Sequence, residues 1–303
     1  MDLLDSRRLK HFLAVYDLRS IGQAAQKVFL TQPALSKSIR QLEEDLEIKL
    51  FERTPLGVVP TVYADALSLH ARAIRAEMRH AETELSNLRG AVKGQITVGI
   101  GPSIAAHLMP LAVGQMRKSK PGITVTVIEG LVDTILPALR RGEIDLAVGG
   151  WPRPADSDIS ATTLVKDKVC VVAGPRHPLC RKRKVELSEL LEFPWVLPPE
   201  TQRWRQVLEE IFMAGGLSAP QPSVTSNSAN FIRSMLLDNQ SLSYLPLQSL
   251  AARPRSVPLE RLPVPALERD VEITMTVRER AAISPATHAL IAALQSVAST
   301  TAA

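Results

Sequence analysis

The sequence has few of the residues on which disulfide-linked, metal-binding and single-strand-binding proteins depend. Its 303 residues contain two cysteines, Cys170 and Cys180, without CxxC spacing, so neither a disulfide framework nor a zinc site is expected. The six histidines are scattered, and aromatic residues make up only 4% of the chain, which disfavours stacking on single strands. We predict no metal, no cofactor and no catalytic residues, and therefore no enzyme.

Long apolar segments are also missing. The first 30 residues include Asp2, Asp5 and Arg7, and no window of about 18 apolar residues follows them. We therefore expect neither a secretory signal nor a membrane span, and we predict a cytoplasmic protein.

One stretch lacks acidic residues altogether. Between Leu18 and Leu42 there is no Asp or Glu, whereas Lys37 and Arg40 are among the four basic residues there. The chain as a whole has a net charge of only +5. A basic window in a nearly neutral chain predicts a local contact surface for nucleic acid.

Residues 9–50 predict three short helices followed by a tight hairpin. The predicted helices span 9–18, 20–28 and 31–46, and the hairpin turn is Pro55-Leu56-Gly57. Thr31 is the expected N-cap of the third helix, with Pro33 in its first turn. One face of this helix is a buried stripe of Leu35, Ile39, Leu42 and Leu46. The opposite face carries Pro33, Ser36, Lys37 and Arg40, as a DNA recognition helix requires.

A longer helix is expected from Thr61 onward. Its apolar residues follow alternating spacings of 4 and 3, namely Leu67, Ala71, Ile74, Met78, Ala81, Leu85 and Leu88. This heptad seam favours a two-stranded coiled coil. The alternative is a single helix packed on its own domain.

After Gly94 the pattern changes to short strands that alternate with helix-length segments. Strand-like stretches are 96–100, 123–128, 144–149, 169–172, 195–197, 223–224, 242–245 and 272–277, and helical stretches are 103–118, 131–141 and 285–296. This alternation predicts an α/β domain with a parallel sheet and crossover helices. The Pro-rich run 253–265 is predicted to be a surface connection.

The segment Gly99-Ile100-Gly101-Pro102-Ser103 joins a strand to a helix. Ser103 and the backbone N–H groups after it would face an anion or a polar ligand. A dinucleotide-binding fingerprint is the competing interpretation, but its third glycine and its acidic residue are missing.

Several motifs occur in order over about sixty residues. They are Leu9-Lys10-His11-Phe12, Ser20-Ile21-Gly22-Gln23-Ala24-Ala25, Thr31-Gln32-Pro33-Ala34-Leu35-Ser36, Ile39-Arg40-Gln41-Leu42-Glu43 and Leu50-Phe51-Glu52-Arg53-Thr54. This series resembles the winged helix-turn-helix of LysR-type transcriptional regulators, and the rest of the chain is similar to that family too. The segment 193–199 resembles most a subset that includes the galactose-binding-protein regulator. One departure is Pro60-Thr61-Val62-Tyr63-Ala64, where the family usually has Leu-Thr-x-x-Gly.

The resemblance implies a fold and a domain organisation. A winged helix-turn-helix would occupy residues 1–62, a linker and dimerisation helix 63–92, and a two-lobed effector domain similar to periplasmic binding proteins 93–303. Lobe I would comprise about 93–162 and 271–303, and lobe II about 163–270.

The resemblance also implies two sets of site residues. The expected DNA-binding residues are Ile21, Gln32, Pro33, Ser36, Lys37, Arg40, Arg53, Thr54 and Pro55. The expected effector-binding residues are Ser103, Ile104, Glu129, Gly130, Thr201, Gln202, Ser226 and Asn227, with Thr201 as a cap of the helix after it. Helix N-termini that face one cleft would favour an anionic, for example carboxylated, molecule.

The expected partners are double-stranded promoter DNA, a small-molecule effector, further copies in a homodimer or homotetramer, and RNA polymerase. Rival interpretations are a small-molecule binding protein without DNA activity and an oxidoreductase that uses the Gly99–Ser103 turn. A redox switch is disfavoured, because neither cysteine lies in the 198–206 region where the family resemblance would place one.

Overall fold

The computed structural model describes residues 4–55, 57–88, 94–151, 158–238, 240–247, 257–279 and 283–301. These residues form two compact units. The first comprises the N-terminal helices, a hairpin and most of one long helix, and the second contains the large sheet and the remaining helices.

The first unit begins with three helices, α1 (Ser6–Leu18), α2 (Ile21–Lys27) and α3 (Gln32–Leu46). Each has a polar N-cap whose side chain accepts a backbone N–H. In α3 the Oγ1 of Thr31 accepts from the N–H of Ala34 at 3.4 Å. The predicted stripe is buried at Leu35, Ile39 and Leu42, and Leu46 packs against the same core. The three predicted helices and the Thr31 cap are therefore confirmed.

The hairpin β1 (Phe51–Thr54) and β2 (Gly57–Pro60) follows, and its turn includes Leu56, which lies outside the described residues. Next comes the long helix α4 (Val62–Leu88). The Oγ1 of Thr61 accepts from the N–H of Ala64 at 3.3 Å, as an N-cap does. The helix therefore starts at the point where the sequence departs from the family pattern. Residues 89–93 of the predicted linker lie outside the described residues.

One mixed sheet of nine strands crosses the described part of the second unit. Its strands are β3 (Gly94–Ile100), β4 (Ile123–Glu129), β5 (Leu146–Gly149), β6 (Ile159–Ala173), β7 (Trp195–Leu197), β8 (Pro222–Thr225), β9 (Leu242–Pro246), β10 (Glu260–Arg261) and β11 (Arg269–Arg278). The order is β4-β3-β5-β11-β6-β9-β7-β8, and β10 pairs with β6.

The prediction of a parallel sheet is only partly correct. Strands β3, β4 and β5 pair in parallel, but β11 pairs antiparallel with both β5 and β6. The β6–β11 ladder runs from Ile159–Arg278 to Val169–Arg269, with a bulge between Ile273 and Thr274. Residues far apart in sequence pair here, so local patterning could not reveal this ladder.

The helices of the second unit are α5 (Pro102–Ala105), α6 (Leu108–Ser119), α7 (Val132–Arg140), α8 (Arg203–Ala214), α9 (Ala229–Asp238) and α10 (Pro285–Thr301). The predicted helix 103–118 is therefore two helices, because the chain leaves helical geometry at His107 (φ −138°). One core includes Ile96, Leu146 and Ile273, and a second includes Val169, Trp195 and Val271. We call them the lobe I core and the lobe II core after the two predicted lobes, and the ladder contributes residues to both.

The Pro-rich run is not a surface connection along the part that the structure describes. Leu259, Leu262 and Val264 are buried, and Leu267 continues this pattern in a short 3-10 helix. Strand β10 forms within the run and pairs with the end of β6. Residues 253–256 lie outside the described residues.

Candidate functional site

The first candidate site is the outer face of α3. Gln32, Pro33, Lys37 and Arg40 are exposed, whereas Ser36 is partly buried. The opposite face packs into the core of the unit, which also holds Phe12 and Val15 of α1. The helix therefore presents short polar and basic side chains from its N-terminal half, the part that enters the major groove in helix-turn-helix proteins.

The remaining predicted DNA-binding residues have different surroundings. Ile21 is half-buried and packs against the core at the start of α2. Thr54 and Pro55 are exposed at the hairpin turn, where the Thr54 hydroxyl donates to the Gly57 carbonyl at 3.2 Å. The side chain of Arg53 lies outside the described residues.

Glu43 fixes the hairpin on α3, a role that the sequence analysis did not assign. Its Oε1 accepts from the backbone N–H groups of Leu50 at 2.8 Å and Phe51 at 3.0 Å. Glu43 is only 8% exposed, and its Oε2 contacts the ammonium of Lys49. The sequence did hold a hint of this role, because the acidic Glu43 directly follows Leu42 of the buried stripe.

The hairpin also depends on Gly57. This residue has φ +131°, and a Cβ there would lie 2.5 Å from the carbonyl oxygen of Arg19. That carbonyl accepts from the N–H of Val58 at 3.0 Å. Only glycine allows the two backbones to approach so closely, so the hairpin is held against the end of α1.

The predicted seam of α4 has two parts. Ala71 is buried and Leu67 packs against the core of the first unit, but Ile74, Met78 and Leu85 are 42%, 45% and 61% exposed. Ala81 is exposed as well, and the side chain of Leu88 lies outside the described residues. The alternative of a helix packed on its own domain therefore accounts for the first part of the seam only.

The second candidate site is a cleft of about 120 Å³ in the second unit. Its lining comes from the starts of helices, from the turn after β5 and from the end of β9. The lining residues are Gly101, Pro102, Ser103, Gly130, Leu131, Val132, Gly150, Trp151, Pro198, Gln202, Arg203, Trp204, Ser226, Asn227, Ala229, Ile232, Tyr244, Leu245 and Pro246.

Five of the eight predicted effector residues line this cleft, namely Ser103, Gly130, Gln202, Ser226 and Asn227. Ile104 does not, because its side chain is fully buried in the lobe I core. Glu129 and Thr201 are exposed and are not part of the lining. Thr201 is not the cap of α8 either, since the N-cap position belongs to Gln202.

Three lining residues hold buried polar atoms that have no hydrogen-bond partner among the residues that the structure describes. They are Nε1 of Trp151, Nε2 of Gln202 and the hydroxyl of Tyr244. Trp151 is 8% exposed and Tyr244 only 1%. Burial raises the pKa of Tyr244 to about 12, so its hydroxyl stays protonated at neutral pH. Unpartnered buried polar groups are rare in native proteins, and all three of these are donors.

Helix N-termini add further donors to the lining. The first residues of α7, α8 and α9 all belong to it, and the N-cap of α8 has no side-chain hydrogen bond. Arg203 is the only charged residue among the described lining residues, and it pairs with Glu210 at 3.0 Å. A cleft with many donors and no carboxylate suits a ligand rich in acceptor atoms.

Trp151 was missed by the sequence analysis. Gly149 precedes it, and a Cβ at Gly149 would lie 2.4 Å from the indole ring. The glycine therefore leaves the space that the ring occupies. The sequence hint for this residue was its position, since Trp151 follows two glycines at the end of a buried strand.

Both thiols are unsuited to redox chemistry. Burial raises the pKa of Cys170 to about 12 and also raises the pKa of Cys180. The thiolate is the reactive form, so neither cysteine is activated. Within the described ranges, no three His, Cys, Asp or Glu side chains gather where they could hold a metal ion. Nor does any described helix combine the length and apolar content of a membrane span.

A helix with an exposed polar and basic face beside a hairpin in one unit, and a donor-rich cleft in another, is the arrangement expected of a ligand-responsive transcriptional regulator. Residues 6–65 match the family model for the bacterial regulatory helix-turn-helix protein, lysR family, and residues 89–299 match the LysR substrate binding domain. The chain belongs to the LysR family of DNA-binding transcriptional regulators with an effector-binding domain. The proteins it resembles are regulators and not enzymes.

Individual relatives support this assignment. The chain is 31% identical over 297 residues to the HTH-type transcriptional regulator GalR of Pseudomonas putida, covering 97% of this chain and 74% of the relative. It is 28% identical over 242 residues to GbpR of Azospirillum brasilense, covering 79% and 71%. A crystal structure of full-length CbnR complexed with its target DNA shares the fold, with a TM-score of 0.67, 19% identity and coverage of 97% and 100%.

Proposed function

We propose that this regulator binds paired promoter half-sites as a homodimer or homotetramer, and that a small anionic molecule in its cleft controls it. The winged helix-turn-helix of residues 1–62 reads DNA, the helix of 63–92 pairs two chains, and the two-lobed domain of 93–303 binds the effector. The observation that carries the effector assignment is the set of three buried donors without a partner in the described part of the chain, in a cleft whose described lining has no carboxylate.

DNA reading is assigned to the exposed face of α3 and to the wing. Gln32, Ser36, Lys37 and Arg40 have side chains that match base edges and phosphates. Pro33 lies in the first turn of α3 on this exposed face, and Ile21 packs against the core of the same unit from the start of α2. Arg53, Thr54 and Pro55 are placed at the flanking phosphates.

A substitution at Arg40 tests this assignment. Because Arg40 is exposed on the proposed reading face, Arg40→Ala weakens binding to the DNA upstream of the gene by about 1–3 kcal/mol if it contacts a base. The matched control is Arg117→Ala, which removes another exposed arginine, on α6. Unchanged affinity in folded Arg40→Ala, measured by fluorescence anisotropy, contradicts the assignment.

Two chains are needed because the outer seam of α4 is apolar and exposed. Ile74, Met78 and Leu85 continue the heptad seam beyond Ala71, and they are exposed whereas Ala71 is buried. Pairing this seam with a second copy removes it from water. Two-fold pairing places two α3 helices on two half-sites.

The effector is assigned as an anion of modest size. A closed cavity of about 150 Å³ holds benzene. This cleft has about 120 Å³ and is partly open to solvent, so a molecule of one small ring can bind with part of its surface in water. The indole of Trp204 and the side chain of Ile232 provide apolar walls. Ser103, Gly130, Ser226 and Asn227 supply further polar contacts.

Paired ligands of equal shape test the charge of the effector. Benzoate and benzamide differ mainly in charge, and Trp151 and Trp204 line the cleft, so tryptophan fluorescence reports binding of either. We expect small carboxylates to bind, and their neutral amides to bind at least tenfold more weakly. Equal affinity of acids and amides contradicts the assignment of an anionic effector.

Control of transcription requires that the effector prefers one arrangement of the dimer, since equal affinity for two arrangements would shift neither. We place RNA polymerase as the further partner on which the arrangement acts. A run-off transcription assay with purified polymerase, with and without the effector, tests this step.

A further inference from the structure

Phe29 stands out in the turn that joins α2 to α3. Its side chain is 92% exposed, and its backbone adopts φ +59°. Most residues in the left-handed region are glycine, because a Cβ there approaches the following carbonyl oxygen. Phe29 therefore combines an unfavourable backbone conformation with an aromatic ring placed in water.

The backbone requires this conformation whatever the side chain. The N–H of Leu30 donates to the carbonyl of Ala25 at 2.9 Å, and the N–H of Phe29 donates to that of Gln26 at 3.2 Å. This is the pattern of a Schellman motif, in which the residue after the C-cap is left-handed and usually glycine. Glycine would serve the fold at least as well, so the fold gives no reason for the ring.

The position of Phe29 gives that reason. It lies two residues before the Thr31 cap, and Gln32 and Pro33 at the start of α3 are also exposed. Leu30 is also 36% exposed. These two apolar residues directly precede the N-terminal end of α3, the end of the proposed reading helix that approaches the bases.

In the major groove the prominent apolar group is the 5-methyl of thymine, and phenylalanine is among the side chains that contact it. We propose that Phe29 is a specificity-determining residue that packs against a thymine methyl group in each half-site. The inference rests on the proposed role of α3 as the reading helix.

The test compares Phe29→Gly with the wild type as full-length proteins. The probe is the DNA upstream of the gene, and binding is measured by anisotropy. Because glycine suits the left-handed position, the variant should melt at the wild-type temperature or above it. Burial of each methyl or methylene group accounts for roughly fourfold in affinity, so loss of the ring should weaken binding by about five- to twentyfold.

Replacing each thymine of the footprint by deoxyuridine identifies the methyl group. We expect the wild type to lose roughly fourfold at one thymine of each half-site, and Phe29→Gly to lose nothing further there. If Phe29→Gly binds as well as the wild type, or if no thymine is coupled to residue 29, the inference is overturned. The second outcome would assign the ring to the sugar-phosphate backbone or to a protein partner.

Two controls separate this result from other effects. Glu47 is exposed and left-handed at φ +56°, at the opposite end of α3, so Glu47→Gly makes the same backbone change without loss of affinity. Phe29→Asn, a second variant that tolerates this conformation, should weaken binding as Phe29→Gly does. Unchanged binding by Arg40→Ala would instead count against the reading face itself, so the two failures are distinguishable.

Discussion

Single side chains hold the DNA-reading unit in shape, and Glu43 is the most instructive of them. One carboxylate oxygen accepts two backbone N–H groups at the start of the hairpin. Leu50 directly precedes the ladder with β2, and Phe51 is the first residue of that ladder, paired with Pro60. The carboxylate therefore determines where the wing begins relative to α3.

Glu43→Ala should leave the N–H groups of Leu50 and Phe51 without partners. A buried unsatisfied donor costs about 1–3 kcal/mol, so we expect about 2–4 kcal/mol of destabilisation. Hydrogen exchange of the 47–55 backbone should accelerate and report the change directly. Glu43→Gln, which keeps an acceptor oxygen, should cost less than about 1 kcal/mol; equal exchange in both variants would contradict the role.

We expect His177 to make the stability of the second unit depend on pH. Its Nδ1 accepts from the N–H of Leu179 at 3.2 Å, and its ring packs on Phe193. Burial lowers the pKa of His177 below the ordinary 6.5, although a backbone contact with Gln240 acts in the opposite direction. As pH falls through 6.5, the unfolded chain takes up the proton first, so the folded state loses stability.

The expected result is a melting temperature that falls between about pH 7.5 and about pH 5.5, with at most about 1.4 kcal/mol per pH unit from this group. His177→Asn keeps a capping acceptor and removes the titration, so its melting temperature should fall less. Exposed His288→Asn serves as the control. Fluorescence of Trp195, in the lobe II core, follows the transition.

At the scale of elements, the seam of α4 decides whether two chains associate. Ile74→Asp puts a charge at an exposed seam position and should weaken dimerisation by about 3 kcal/mol or more, over 100-fold. Leu69→Asp is a matched control, since Leu69 lies on the same helix, is 51% exposed and is off the seam. Sedimentation profiles that agree for Ile74→Asp and the wild type would refute the pairing role.

Helices with a regular stripe were predictable, whereas contacts between distant strands were not. The spacing of Leu35, Ile39 and Leu42 predicts α3, because the apolar period of a helix is visible within a short stretch of sequence. The partner of β6 begins about a hundred residues later, and no local pattern specifies that pairing. Leu262 and Val264 are buried, but they lie in a proline-rich stretch. The composition of that stretch therefore led to the wrong prediction of a surface connection.

The cleft also combines residues that local sequence predicts with residues that only the folded chain brings together. Ser103 and Gln202 were predictable because they lie at or near the starts of helices. Trp151 and Tyr244 were not, since they follow or occupy strands whose neighbours in the sheet come from elsewhere in the chain. Their buried, unpartnered atoms are visible only after folding.

For the whole molecule, ligand binding and DNA binding should be separable by substitution. Tyr244→Phe removes one donor from the cleft and keeps the ring. A hydrogen bond to a charged group contributes about 1.5–3 kcal/mol, so we expect at least tenfold weaker binding of benzoate by tryptophan fluorescence. Affinity for promoter DNA without ligand should not change.

Ser103→Ala extends this test with a smaller change at the start of α5, again with promoter binding intact. If both variants bind benzoate like the wild type, the donors do not contact the carboxylate. If either variant loses promoter binding without ligand, the two activities are not separable.

The position of β11 in the sheet has a consequence for biosynthesis. Strand β11 is the last in sequence, yet it lies between β5 and β6. Until the ribosome has released β11, no strand joins the β4-β3-β5 part of the sheet to the β6-β9-β7-β8 part. Pairing over such separations is slow, so nascent chains expose two unfinished sheet edges, the kind of surface on which chaperones act.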